Sequence, residues 1–202
     1  MSIVPRYGQK AVNSEMATHT QKERSIMDNW YVMSVLTGKE NSSVEDIRVY
    51  NIEKSIDHIL PFVPTRETFF KKNGDIKKET SIMFPGYLFI ETSIGTYDFF
   101  NYVKDLRRKL HNTMTVLKYG ESNEIAIRWE ERLVLMKLMN HEWCVKTSLG
   151  FKENDTVKIK EGALVGCEGQ IKKIDRHKMI ALIEMNIFKK KSLIEVGLQI
   201  IK

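Results

Sequence analysis

From residue 151 to the end the chain shows no helical periodicity, only short apolar runs separated by turns, and this restricts what that half can fold into. The runs fall at 156–160, 170–174, 179–185, 193–196 and 198–201, with Gly162, Gly166 and Gly169 punctuating the first gap. Five short strands in about 50 residues bury their apolar faces most economically by closing on themselves, so a small β-barrel is expected. Glycines at the turns and β-branched strands favour a permanent barrel over a helical alternative.

The preceding stretch obeys different rules. Trp30-Tyr31-Val32-Met33-Ser34-Val35 is an aromatic and β-branched run typical of a buried strand. Val44, Ile47 and Tyr50 recur at three-residue spacing, which places them on one helical face, with Ser42 or Ser43 available as N-cap. Asn73-Gly74 lies between two charged extended arms, and Asn-Gly tolerates the positive φ of a type I′ turn, so a hairpin is expected. Phe84-Pro85-Gly86 breaks the chain before another core strand at 87–91. A second helix fits 97–110, with Phe99, Val103, Leu106 and Leu110 inward, and Thr115 to Lys118 suits a further inner strand. A third helix fits 128–141, with Leu133, Met136 and Leu138 inward. The fold class is therefore α+β: an N-terminal α/β domain at 29–146, a linker at 147–150 and a barrel at 151–202. Residues 1–28 are polar and aperiodic and are expected to be a flexible extension.

Composition narrows the function classes. There are 32 basic and 26 acidic residues, a net charge of +6, which suits a polyanion partner without approaching a nucleic-acid coat. Residues 151–202 hold 11 basic and 7 acidic groups, whereas 29–150 hold 17 and 16. No apolar run is long enough to span a bilayer, and the N-terminus lacks the apolar core of a signal peptide, so no membrane partner is expected. Two cysteines, Cys144 and Cys167, build neither a disulfide framework nor a four-thiolate site; they are expected to pack as small hydrophobes in a reducing cytoplasm. The histidines (His19, His58, His111, His141, His177) show no metal-ligand spacing, and neither a nucleophile elbow nor a Gly-rich phosphate loop is present. An enzyme, a metal site and a cofactor are not expected.

What remains is surface. Lys71, Lys72, Lys77 and Lys78 surround the hairpin turn; such lysines guard an edge strand or touch phosphate. Lys104, Arg107, Arg108 and Lys109 make a compact positive face on the second helix, which is either a solvated face or a nucleic-acid contact.

Together these landmarks resemble the NusG family of transcription elongation factors, over about residues 29–202. The resemblance is carried by Trp30-Tyr31-Val32, Val63-Pro64-Thr65, the basic hairpin and Phe84-Pro85-Gly86-Tyr87-Leu88-Phe89-Ile90. In the C-terminal part it is carried by Asp155-Thr156-Val157-Lys158-Ile159, Glu161-Gly162-Ala163-Leu164, Gly166-Cys167-Glu168-Gly169 and Ile187-Phe188, which look like a KOW module. The resemblance implies a NusG-type N-terminal (NGN) mixed α/β sandwich followed by a five-stranded SH3-like KOW barrel. It also implies that the first domain sits on the clamp helices of RNA polymerase and suppresses pausing, with Trp30, Tyr31, Phe84, Pro85, Gly86 and Tyr87 facing the polymerase. Leu164 and Phe188 then fall in the loops that receive a second partner, such as a ribosomal protein or a termination factor. Ala163-Leu164 and Lys189-Lys190-Lys191 depart from the housekeeping pattern, and Thr37-Gly38-Lys39-Glu40 with the basic helix is most similar to the LoaP antiterminators. That likeness implies a monomeric, non-enzymatic antitermination factor recruited to selected operons by a nascent RNA hairpin, bound through Lys104, Arg107, Arg108, Lys109, Lys71 and Lys72. The alternatives are a general elongation factor or adaptor with no sequence-specific RNA contact, and a ribosome-associated KOW protein.

Overall fold

Strand β1 (Asn29–Ser34) is buried on both faces, and its alternation divides the molecule. Tyr31 and Met33 face one apolar cluster while Trp30 and Val32 face another, as the two-residue period of a strand requires. The computed structural model describes residues 29–110, 114–118, 124–154, 156–188 and 190–201. The expectations for residues 1–28, His111, Asp155 and Lys189 lie outside these.

On the first face pack two helices, α1 (Glu40–Glu53) and α2 (Thr96–Leu110). Val44, Ile47 and Tyr50 of α1 and Phe99, Tyr102, Val103 and Leu106 of α2 bury against Tyr31, Met33, Leu88 and Ile90. The Tyr31 ring stacks on Phe99 at 3.9 Å, and the Tyr102 hydroxyl donates to Asn51 Oδ1 at 2.7 Å. Burial pushes the Tyr102 phenol well above its ordinary value, so it remains a neutral donor. The N-cap of α1 is Lys39, not Ser42 or Ser43; the Ser42 hydroxyl donates back to the Lys39 carbonyl at 3.0 Å. A helix starting at Glu40 puts both serines inside its first turn, too late to cap it.

The sheet behind these helices has four strands, ordered β2 (Ile59–Phe62), β5 (Tyr87–Thr92), β1, β6 (Thr115–Val116). Strands β3 (Thr65–Lys72) and β4 (Asp75–Ile82) form the hairpin, with β7 (Cys144–Val145) parallel to β3. Its turn has Asn73 at φ 55° and Gly74 at φ 88°, the left-handed pair of a type I′ connection.

The second face of the sheet carries α3 (Trp129–Leu138) and then the barrel. In α3 Leu135 and Leu138 are buried, Met136 is partly so, and Leu133 points outward, contrary to the sequence expectation. The inward position is taken by Arg132, one residue before, which is only 4% exposed. Arg132 pairs with buried Glu91 at 3.5 Å and lies over the ring of Trp30 at 5.1 Å and that of Trp129 at 5.8 Å. The Trp30 indole N–H donates to the same Glu91 oxygen at 3.2 Å. The carboxylate thus accepts from an indole and pairs with a guanidinium inside an aromatic cluster that includes Phe62, Phe89 and Trp143.

The barrel sheet runs in the order β10 (Ile171–Asp175), β11 (Ile180–Ile187), β12 (Lys190–Ile201), β8 (Ser148–Glu153), β9 (Thr156–Glu161). Its strands number five, as expected, but two are drawn differently. The runs 193–196 and 198–201 are one long strand, whose first part pairs with β11 and whose end pairs in parallel with β8. The remaining strand, β8, begins at Ser148, inside the segment assigned to a linker from sequence. Ser148 is fully buried there, and its hydroxyl accepts the Leu164 N–H at 3.0 Å.

A buried ion pair that loses one partner leaves an uncompensated charge, at a cost of about 3–5 kcal/mol. Arg132→Ala is therefore expected to lower unfolding free energy by about that amount. Urea denaturation followed by tryptophan fluorescence checks it.

Candidate binding surfaces

Phe188 follows β11 at the head of a tight connection, since Ile187 pairs directly with Lys190. Its φ is 54°, a left-handed conformation in which such turns favour glycine or asparagine. A bulky aromatic held there costs local free energy, and such strain persists where the surroundings reward it. The surroundings are the N-terminal domain: the Phe188 ring lies 6.3 Å from Phe84, 5.9 Å from Tyr87 and 6.3 Å from Phe89. The barrel tip thus sits on the Phe84-Pro85-Gly86-Tyr87 turn.

That turn is itself braced from below. The Gly86 N–H donates to Glu40 Oε1 at 2.6 Å, and the Val35 N–H donates to the Gly86 carbonyl at 2.8 Å. Glu40 is 1% exposed, so the first residue of α1 holds the aromatic turn in register. Phe84 and Tyr87 are half-buried and Pro85 is exposed, whereas Gly86 is buried.

Two further contacts fasten the barrel. Arg66 of β3 donates to the Glu195 carbonyl at 3.0 Å and pairs with its carboxylate at 3.3 Å. Gly197 of β12 has no room for a side chain: a Cβ would lie 2.8 Å from the Glu67 carbonyl and 2.7 Å from Thr147 Cγ2. Glycine there is what lets β12 approach β3. Beside it, Lys146 bonds Glu67 Oε1 at 2.9 Å, and this contact holds the Glu67 carboxyl below, and the Lys146 amine above, their usual values.

The residues expected to meet partners therefore divide sharply. Phe84, Pro85, Gly86, Tyr87 and Phe188 come together at one place. Trp30 and Tyr31 do not belong to it: both are 0% exposed, Trp30 under Phe62, Phe89 and Trp143 and Tyr31 beneath Phe99. They support the face without presenting a surface of their own. Leu164 is also 0% exposed, folded into the barrel core, because its backbone is pinned to Ser148. Phe89, Arg66, Glu195 and Gly197 were not singled out as site residues from sequence; strand alternation marks Phe89, but nothing local marks the others.

The basic residues lie elsewhere and are exposed. On α2, Arg108 pairs with Asp105 at 3.5 Å and Lys109 with Glu53 at 3.4 Å. Lys104 and Arg107 make no such pair among the described residues. On the hairpin, Lys78 pairs with Glu67 at 3.7 Å and lies over Phe69, while Lys71, Lys72 and Lys77 project outward. Among the described residues no group of three His, Cys, Asp or Glu side chains is placed to hold a metal ion, and Cys144 and Cys167 are buried thiols. No helix of the described residues is long and apolar enough to cross a membrane.

The molecule thus joins a braced α/β sheet to a β-barrel through its aromatic turn and exposes basic faces on α2 and on the hairpin. The family profile described as "Transcription termination factor nusG" matches residues 28–136, and this chain belongs to that family. It is 27% identical over 179 residues to the transcription termination/antitermination protein NusG of Streptococcus pyogenes, covering 86% of this chain and 95% of that one. Against the Bacillus subtilis protein of the same name the identity is 26% over 176 residues, covering 83% and 94%. Among solved structures, one titled "Domain interaction in Thermotoga maritima NusG" aligns at 20% identity with a TM-score of 0.46, over 86% of this chain and 95% of that one. The chain is thus a NusG-like transcription termination/antitermination factor, and factors of this family bind RNA polymerase.

Removing the Phe188 ring takes away three aromatic contacts, worth about 1.5–4.5 kcal/mol together if additive. Phe188→Ser is expected to release the barrel from the N-terminal domain and leave both folded. Relaxation-based NMR should then report independent tumbling of the two, against joint tumbling in the parent.

Proposed function

We propose that this chain is an antitermination factor that binds the polymerase clamp helices through the Phe84–Tyr87 turn, suppresses pausing and termination, and is recruited to selected operons by a nascent RNA hairpin. The observation that carries this reading is the separation of its surfaces. The aromatic turn is covered by Phe188, whereas the basic face of α2 stays open to solvent. RNA capture on Lys104, Arg107, Arg108 and Lys109, assisted by Lys71 and Lys72, can therefore precede exposure of the polymerase face. A compact Arg/Lys face supplies the phosphate and shape contacts by which structured RNA is recognised. The departures at Ala163-Leu164 and the basic helix fit a specialised, LoaP-like factor. Phe188, once released, is the side chain that a ribosomal protein or termination factor would engage; Leu164 would act from inside the barrel by shaping that loop.

One observation favours a second reading, a general elongation adaptor. Asp105 and Glu53 engage Arg108 and Lys109, so part of the basic face is already neutralised by the protein itself.

The two readings separate on one experiment with the full chain. Changing Arg107 and Arg108 together to Ala should weaken binding of a cognate leader hairpin at physiological salt at least about tenfold, and leave polymerase binding unchanged. Filter binding and polymerase pull-down measure the two. Equal loss of both would make the helix face structural, and an absence of any hairpin preference in the parent would support the adaptor.

A further inference from the structure

Helix α2 turns one flank to α1. There the Tyr102 hydroxyl donates to Asn51 and Lys109 pairs with Glu53. The helix's own carboxylates follow the same line, Asp98 four residues before Tyr102 and Asp105 three after it. The outer stripe carries no acid. It runs through Tyr97, Phe100, Lys104 and Arg107 at spacings of three and four, all exposed, along about 15 Å of helix. Tyr97 is 78% exposed and Phe100 38%. The side chains of Tyr97, Lys104 and Arg107 bond or pair with nothing among the described residues. Phe100 meets the ammonium of exposed Lys118, 6.0 Å from its ring centroid, which brings a third cation to the stripe from the strand end beside it.

Exposed aromatics scattered singly are ordinary on a protein surface. Two neighbours that run into a row of cations have instead the make-up of a single-strand binding surface, with ring faces for bases and cations for phosphates. A paired stem keeps its base faces inside its own stack and can use only the cations, whereas unpaired loop bases can use both. We propose that Tyr97 and Phe100 form a stacking platform for unpaired bases of an RNA loop, whose adjoining phosphates lie along Lys104, Arg107 and Lys118. This deepens the RNA reading of α2 given above and rests on it. The loop, not the stem, becomes the part that α2 discriminates, while the cations supply affinity without selectivity. The stripe lies opposite buried Phe99, Val103 and Leu106, so it is open to solvent while the barrel is docked.

The test is fluorescence anisotropy of the full chain at physiological salt with two labelled RNA hairpins, one with an all-adenosine loop and one whose loop sugars are abasic. The phosphates of the two are the same, so only stacking separates them. The parent should bind the adenosine loop at least about tenfold more tightly. Tyr97→Ala with Phe100→Ala should remove that difference, leave binding of the abasic hairpin unchanged, and keep the parent's salt dependence, because no phosphate contact is lost. Exchanging the two rings, Tyr97→Phe with Phe100→Tyr, should retain the preference. Lys104→Ala with Arg107→Ala should weaken both hairpins alike and flatten the salt dependence. Equal binding of the two hairpins by the parent, or an equal loss of both in the Tyr97 and Phe100 double alanine variant, would overturn the platform. Equal binding of a DNA hairpin of the same sequence would overturn its assignment to RNA. Hairpin binding that depends on Arg107 and Arg108 but ignores Tyr97 and Phe100 would sink the platform alone and leave the recruitment reading standing. A parent that binds neither hairpin would overturn both.

Discussion

Phe188 pressed against Phe84, Tyr87 and Phe89 is the contact on which the arrangement of this molecule turns. It joins the surface expected to meet polymerase to the loop expected to meet a second partner, so each covers the other. While the contact lasts, the Phe188 ring covers part of Phe84 and Tyr87, which stay half-buried. Aromatic pairs of this kind contribute about 0.5–1.5 kcal/mol each, enough to favour docking and too little to make it permanent. Arg66 on Glu195 adds direction, because a guanidinium bonding both a carbonyl and a carboxylate fixes how β12 lies on β3.

The docking face is rigid for reasons that lie beneath it. Glu40 holds the Gly86 N–H, and Glu91 joins the Trp30 indole to Arg132 inside the aromatic cluster. Each of these buried carboxylates is bonded through one oxygen, Oε1, to a group on another element, which ties the elements together. A face prepared in this way changes little when it exchanges one partner for another, so under the proposed function polymerase would replace the barrel without rebuilding the sheet. The basic faces follow a different logic. They are solvated, partly neutralised by their own acids, and suited to a partner whose charge is dense and whose binding responds to salt.

Much of the fold was legible because it is local. The aromatic and β-branched run at 30–35 reads as a buried strand, three-residue spacing places α1, and Asn73-Gly74 marks its turn. What failed depended on distant partners. Leu133 was expected inside α3 because it is apolar, yet Arg132 takes the inward place by finding Glu91 on a strand far away in sequence. Ser148 looked like linker because no pattern precedes it; its burial comes from Leu164 and from the end of β12. The site was legible to the same degree. Phe84 to Tyr87 and Phe188 stand out as motifs, but that they touch is a long-range fact. Trp30, Tyr31 and Leu164 belong to the same motifs and serve from the interior, because a motif marks residues a family needs without saying which of them meet solvent.

The central claim is that the docked arrangement must part before polymerase can occupy the aromatic turn. Energy transfer between dyes on Tyr97→Cys of α2 and Lys172→Cys of β10, both exposed positions, measures this directly in the full chain. Adding RNA polymerase should turn high transfer into low transfer as the complex forms. Complex formation with the transfer efficiency unchanged would contradict the account, because polymerase would then be binding a surface other than the one Phe188 covers.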